Sequence, residues 1–287
     1  MNDVLMFALP VVFASMGEVV YQRSGQLNIG LEGQMLLAAY FGFAVTQSSG
    51  QPWFGLLAGV IAAILAMSLQ GLLVIRLGCD AVVTGVGVNL LALGLTSSLF
   101  RARMKNASDL LTVEKLPRWN GFDPMTLLAL VVFAALLWVM LRSRWGLEVR
   151  ACGERPDAAA SSGVPVHRRR WQASWIAAVL AGLGGAYLSL GITGAFVDNM
   201  TGGRGFIVIA LVAFGRWNLG WVVLGCLGFG YASGLGYRLQ ALGSKIPHQV
   251  FNAAPYVLAL AVLILAGRGR GAPASLGLPY RDNREAV

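Results

Sequence analysis

The chain has 287 residues, with 22 Lys and Arg against 13 Asp and Glu, a formal net charge of +9. Apolar residues make up 56% of it and charged residues 12%, about half the roughly 25% charged share of a soluble domain, and the mean hydropathy is +0.66. These values exclude a disordered chain, a secreted disulfide scaffold and an ordinary cytosolic enzyme.

Charge-free windows of about 20 residues, the length that crosses ~30 Å of hydrocarbon, locate the membrane spans. The first is Val4–Gly17, which continues apolar to Val20 across Glu18. It has no Lys or Arg before it and reads as a retained helix rather than a signal peptide. Gly33–Ile75 contains no Asp, Glu, Lys or Arg and is long enough for two crossings, divided by the turn-like Gln47–Pro52. Ala81–Phe100, Pro124–Leu141, Trp171–Val197, Trp217–Tyr237 and Ile246–Gly267 follow, with the short Gly205–Gly215 between the last three. The expected fold is all-α and polytopic, one membrane domain over residues 1–287 with about eight helices, six at the least and ten at the most. Long apolar runs do not alternate as barrel strands do, and an open sheet cannot satisfy its backbone in lipid.

Arginine sets the orientation. Arg142, Arg144, Arg150, Arg155, Arg168, Arg169 and Arg170 crowd the loop at about 142–170, and Arg268, Arg270, Arg281 and Arg284 crowd the tail. Both belong on the cytoplasmic side, and four crossings between them keep the parity. The loop 101–124 then faces outside although it carries five basic residues, and the N-terminus faces outside unless a re-entrant piece lies near 21–35. The basic surplus is loop charge rather than a nucleic-acid surface, since no dense basic helix or aromatic-basic stripe occurs. Cys79, Cys152 and Cys226 stand too far apart for a disulfide framework or zinc site. With two histidines in the chain, no metal site and no catalytic triad is expected. Gly243-Ser244-Lys245 lacks the spacing of a phosphate-binding loop, so there is no ATPase domain.

Three polar stretches interrupt the apolar chain. Gly25–Met35 gathers glycines, Asn28, Glu32 and Gln34 at the edge of a span; it reads equally as a broken helix facing a water path or as a loop and helix start with Glu32 near the positive end of the dipole. Gly153–Gly163 describes one short helix inside the basic loop, with Pro156 at its first turn, Gly163 at its end and Ala158, Ala159 and Ser162 on a small exposed face; docking into a partner's groove and a solvated helical turn both fit. Asp198–Phe206 is a glycine-rich turn in which Arg204 has a ligand or Asp198 as its candidate partner. Asn89, inside a span, either joins helices or lines a pore. The run Ala181–Ala186 and Gly230-x-x-x-Gly234 allow close helix packing. The stretches near 25–35 and 198–206 fall in separate halves, as transporter repeats do.

These same residues carry a resemblance over nearly the whole chain. Gly25-Gln26-Leu27-Asn28-Ile29-Gly30-Leu31-Glu32-Gly33, Ala81–Gly85 with Asn89–Thr96, Gly153-Glu154 with Pro156, Ala158, Ala159 and Gly163, Asn199–Thr201, Gly203–Ile207 and Phe214–Asn218 resemble the permease subunits of bacterial ABC importers of the branched-chain amino acid, ribose and nucleoside group. The likeness is strongest to nucleoside permeases that work with basic-membrane-protein-type binding lipoproteins. It implies an inner-membrane subunit that binds no cofactor and performs no chemistry. Its partners would be ABC ATPase subunits that spend the ATP, a second permease chain, identical or not, a substrate-binding lipoprotein outside and the membrane lipid. It also implies that Gly153, Glu154, Pro156, Ala158, Ala159 and Gly163 form the coupling helix. Asn28, Glu32, Gln34, Asn89, Asn199 and Arg204 are the candidate pathway residues. Two positions depart from the pattern: Asp80 stands where Asn is usual, and Leu219 where Pro follows Trp-Asn. A gradient-driven transporter would instead rely on Glu18, Glu32 and Asp80; a lipid-modifying enzyme would need clustered carboxylates that this chain lacks.

Overall fold

The computed structural model describes residues 2–104, 112–118, 123–241 and 271–280. In chain order its helices are α1 (Asn2–Arg23), α2 (Leu31–Ser49), α3 (Pro52–Gly71, continued by a π turn Leu72–Arg76), α4 (Ala81–Met104), α5 (Pro124–Arg142), α6 (Arg144–Glu154), α7 (Pro156–Ser161), α8 (Val166–Tyr187, continued by a π turn Leu188–Thr193), α9 (Arg204–Phe214) and α10 (Leu219–Ala241). Six of these described segments are long and apolar enough to cross a bilayer: Val4–Arg23, Pro52–Arg76, Ala81–Met104, Pro124–Arg142, Val166–Thr193 and Leu219–Gly236. The chain is thus an all-α polytopic membrane protein. The window Ile246–Gly267 lies outside the described residues.

Helices α2 and α8 form the centre. Fourteen of the nineteen residues of α2 are buried, including Glu32, Gln34 and Thr46. Such a helix is shielded from lipid on every side by its neighbours, which is why it can carry polar residues. The small-residue run in α8 serves three contacts at once. A Cβ on Gly184 would overlap Pro10 of α1, one on Gly185 would overlap the backbone at Met35 of α2, and one on Gly182 would meet Val60 of α3. Without a hydrophobic drive between helices in lipid, this backbone-to-backbone approach supplies the packing. Gly230 likewise lets α10 sit against Ala8 of α1. Outward faces are apolar: Trp53, Leu57, Ile61, Leu65 and Leu69 recur every four residues along α3 and are all exposed, one continuous helix stripe.

Contacts fix the two ends of the bundle. At one end lie Arg23 and Gly25 after α1, Gly153 of α6, Trp171 against Gly71, and Trp217, whose carbonyl accepts from Arg23 Nε at 3.1 Å. Residues 271–280 join this end, so the tail and the arginine-rich loop share one side, as expected. At the other end Tyr187 donates its hydroxyl to Asp123, Lys115 Nζ donates to the Ile192 carbonyl at 2.7 Å and Arg118 reaches Met6. The start of α1, at Met6, therefore lies at the end opposite the arginine-rich loop.

The expectation that 205–215 is a crossing is corrected. Helix α9 has 11 residues, a rise of about 16 Å, half of what a bilayer needs. The irregular segment 194–203 supplies the other half. It starts beside α2's far end, where Phe196 packs against Tyr40, Phe43 and Phe100, and reaches Glu32 at α2's first turn through Gly203. α9 then continues to Trp217. Segment and half-helix together carry the chain from one end of the bundle to the other. The reversal after α9 uses two successive left-handed non-glycine residues, Arg216 (φ 54°) and Trp217 (φ 57°), a costly conformation. It is held by Trp217 Nε1 donating to Gln22 Oε1 at 2.6 Å.

Candidate functional site

Two helices begin inside the bundle, and their starts meet. A helix N-terminus leaves backbone N–H groups without partners and carries a partial positive charge. Neither α2 nor α9 has a cap from its own preceding residue, since Gly30 and Gly203 stand there. Glu32, in the first turn of α2, supplies the missing acceptor for α9: the Gly203 and Gly205 N–H groups donate to its Oε1 and Oε2 at 2.7 and 2.6 Å. Gly205 is needed for this approach, because a Cβ there would lie 2.5 Å from the Glu32 nitrogen. Asn89 of α4 does the same for α2. Its Oδ1 accepts from the Gly33 N–H at 2.8 Å, and its Nδ2 donates to the Ile29 carbonyl at 2.8 Å. The polar stretches 25–35 and 198–206, read separately in the sequence, are thus one site.

Beside it runs an amide chain. Asn28 Nδ2 donates to Gln34 Oε1 at 3.0 Å, while Gln34 Nε2 lies 3.2 Å from Asn28 Oδ1 and 3.0 Å from Gln70 Oε1. Gln70 comes from α3, so the chain joins the α1–α2 turn, α2 and α3. On α1, Gln22 Nε2 donates to Glu18 Oε1 at 2.7 Å. Among the described residues, Glu18 Oε2, Gln70 Nε2 and Thr201 Oγ1 are buried without hydrogen-bond partners. Spare buried donors and acceptors are costly, at about 1–3 kcal/mol each, and are the groups a polar solute could use. Gln22 and Gln70 escaped the sequence reading. Gln70 had one legible signal, a lone amide in the apolar run 53–75.

The remaining candidates separate. Arg204 does not pair with Asp198: its Nη1 donates to the Met200 and Thr201 carbonyls at 2.9 and 3.0 Å, bracing the descending segment. Asp198 instead accepts from Ser97 Oγ at 2.5 Å and faces Arg101 at 3.7 Å near the far end of α4. Asn199 is exposed in a left-handed turn (φ 54°). Asp80 is exposed and its Oδ1 accepts from the Val82 and Val83 N–H groups, both at 2.9 Å. It caps α4, a task Asn performs equally well, so its departure from the family pattern leaves the site untouched. Leu219 is the first residue of α10, capped by Asn218 Oδ1 through the Gly220 N–H at 3.0 Å; the usual Pro is favoured at that position for its fixed φ alone.

The stretch 153–163 is a helix end, a break and a second helix. Gly153 and Glu154 close α6, Arg155 breaks the helix, and Pro156 opens α7. Gly163 follows α7 with φ +86°. Ala158 and Ser162 are exposed, but Ala159 is buried against Cys152 and Val166. That corrects the expected exposed face: Ala159 points inward and seats α7 on α6 and α8. Gly153 is buried too, and a Cβ on it would overlap the Arg23 carbonyl.

Among the described residues the arrangement sets one carboxylate, Glu32, against two backbone N–H groups, with amide side chains beside it. It offers neutral donors and acceptors where two half-embedded helix starts converge, as in membrane transporters with discontinuous helices. Comparison with known proteins decides the class. The model of the branched-chain amino acid transport system / permease component family matches residues 1–267. This chain belongs to that family. A nucleoside ABC transporter permease of Lactococcus lactis subsp. cremoris is 31% identical over 97% of this chain and 95% of its own length. A guanosine ABC transporter permease of Bacillus subtilis is 30% identical over 96% of this chain and 94% of its own. A putative glucose ABC transporter permease of Haloferax volcanii is 32% identical over 93% of this chain and 91% of its own. No solved structure matches. The chain is therefore a multi-pass permease subunit of an ABC importer in the bacterial cytoplasmic membrane.

Proposed function

We propose that the imported solute is a nucleoside. The full-length similarity to the nucleoside and guanosine permeases of Lactococcus and Bacillus carries this reading. The polar centre supports it: a neutral solute rich in hydroxyl and amide groups suits Asn28, Gln34, Gln70 and Asn89 better than a charge cluster would. A second reading, a monosaccharide, is favoured by the equally full-length similarity to the putative Haloferax glucose permease. Labelled uridine uptake into cells expressing the whole transporter, with glucose as competitor, separates the two. Saturable uptake unaffected by excess glucose supports the nucleoside; labelled glucose uptake with no uridine uptake overturns it.

In this reading the chain pairs with a second permease, identical or different. A binding lipoprotein delivers solute outside, and two ABC ATPase subunits hydrolyse ATP in the cytoplasm; the permease itself binds no ATP. Helix α7, carrying Pro156, Ala158 and Ala159 between Gly153–Glu154 and Gly163, is the contact with the ATPase. Its exposed Ala158 sits on the arginine-rich side that positive charge assigns to the cytoplasm. Ala158→Trp should lower co-purification of the ATPase about tenfold, since overfilling a docked face is strongly unfavourable, while membrane insertion is unchanged. Full retention of the ATPase by this variant would remove α7 from the interface. Among the pathway candidates, Glu32 and Asn89 act by holding the helix starts in place. Asn28 and Gln34 border the solute's path through the amide chain they share with Gln70, Arg204 braces the segment that leads to it, and the exposed Asn199 lies on its outer approach.

A further inference from the structure

Residues 271–280 form no helix, yet they bond to several elements at the arginine-rich end. Ser275 donates twice to the Gly153 carbonyl, through its N–H at 2.9 Å and its Oγ at 2.6 Å. Its Oγ also lies 3.3 Å from the Cys152 carbonyl. Two residues on, the Gly277 N–H donates to the Gly25 carbonyl at 3.0 Å. One short stretch thus holds the last turn of α6, directly before α7, and the turn that leads from α1 into α2. Arg170 of α8 braces it: Nη1 donates to the Leu278 carbonyl at 3.3 Å, and the guanidinium lies over the Tyr280 ring at 5.9 Å.

The two held pieces also touch each other. Gly25 has φ +88°, and a Cβ there would meet Ser275 Oγ at 2.6 Å and the Gly153 Cα at 3.1 Å. From Gly25 the path inward is short. Three residues later Asn28 pairs with Gln34, and four beyond that Glu32 caps α9. A rigid link between α6 and Gly25 therefore ends at both intramembrane helix starts, and the tail closes that link.

We propose that residues 271–280 act as a clasp that transmits movement of the α6–α7 segment to the starts of α2 and α9. The proposal rests on the ABC reading and adds a positioning element to it. Removing the clasp should leave the ATPase docked on α7 and hydrolysing, but disconnect it from the pathway. Packed elements with two discrete arrangements transmit such coupling only while their contacts are intact.

A native reporter lies under the clasp. Cys152 is fully buried in a cluster that includes Ala159, Val166 and Tyr280 of the tail. Burial pushes its thiol up to about 11, so at neutral pH it is protonated and slow to alkylate, becoming reactive only as the pH climbs towards that value. Cys79 is exposed and is replaced by serine for the assay.

The test compares three forms of the chain in membrane vesicles with the partner subunits present: the otherwise unaltered chain, a deletion of 271–287 and Ser275→Ala. Uridine uptake, ATP hydrolysis and maleimide labelling of Cys152 are read together. The deletion should lower uptake per ATP hydrolysed by about tenfold, within the range of typical coupling energies. Cys152 labelling should rise by a similar factor, and ATPase retention should stay near that of the intact chain. Ser275→Ala, which removes the hydroxyl bonds alone, should show roughly a fivefold loss of coupling; it decides the matter if the deleted chain fails to insert. Unchanged uptake per ATP in Ser275→Ala, or a fall in uptake that merely tracks loss of ATPase from the membrane, overturns the clasp. An intact chain that shows no ATP-driven uptake but retains the ATPase refutes the nucleoside assignment. An intact chain with no bound ATPase refutes the coupling scheme on which the clasp depends.

Discussion

Two groups of helices in this permease are capped in different ways. Towards the ends of the bundle four starts carry their own side-chain cap: Asp80 for α4, Asp123 for α5 with the Met125 N–H at 2.9 Å, Ser143 for α6 with the Gly146 N–H at 3.0 Å, and Asn218 for α10, whereas α3 after Gln51 and α8 after Pro165 have no side-chain cap. Inside the bundle α2 and α9 start on glycine and borrow their acceptors from another helix, Asn89 for one and Glu32 for the other. Water satisfies a surface start almost for free, so a local cap contributes modest stability. No water is guaranteed at depth, so an interior start must be satisfied by protein. The borrowed cap has a second effect. It ties α4 to α2 and α2 to α9, so none of the three can shift alone. A local cap constrains one helix; a borrowed cap builds a linkage.

That contrast predicts a graded series. Glu32→Ala removes the acceptor of two N–H groups at once and should cost on the order of 3 kcal/mol, from two orphaned donors at about 1–3 kcal/mol each. Uptake should fall to less than about a tenth, with Glu32→Gln recovering part of it through the acceptor it keeps. Thermal melting of the purified complex and initial uptake rates check both. Asn89→Leu, similar in size, leaves the Gly33 N–H and the Ile29 carbonyl unpaired and should cost about 2 kcal/mol, again with a loss of uptake beyond what lowered abundance explains. Asn218→Ala removes a local cap and should cost about 1 kcal/mol, with uptake per inserted molecule unchanged. Equal damage to uptake from Asn218→Ala and Asn89→Leu would erase the distinction drawn here. Asp80→Asn restores the residue usual in the family and should change melting by no more than a few tenths of a kcal/mol, because both side chains cap well. A large gain or loss of transport in that variant would mean that Asp80 meets the solute after all.

The same contrast explains what could be read in advance. Local caps announce themselves: Asp123 stands directly before Pro124, and Pro156 with Gly163 brackets α7, because cap and helix are neighbours in the chain. Span positions were equally legible, since lipid selects against charge over some 20 residues. The pairing of Glu32 with Gly203 and Gly205 spans more than 170 residues and leaves no trace in spacing. Both stretches looked polar and glycine-rich, and only their meeting shows why. Ala159 illustrates the reverse error. As a small residue beside Ala158 it read as part of an exposed face, whereas its burial against Cys152 depends on how α6 turns back on α8. Arg204 and Asp198 looked like an ion pair because they are near in sequence. The backbone carbonyls of Met200 and Thr201 are nearer to Arg204 in space, and Ser97 takes Asp198.

By itself the sequence determined that this is a helical membrane protein, where most of its spans lie and which residues are polar enough to matter. Those follow from transfer of side chains and charges between water and lipid, a property each segment has independently of the others. Only the tertiary structure decided that α9 stops halfway, that the carboxylate in one helix start caps a distant one, and that residues 271–280 bond to both Gly153 and Gly25. Those depend on which backbone N–H groups are left unpaired at depth and which distant side chain happens to reach them, and no single segment contains that information.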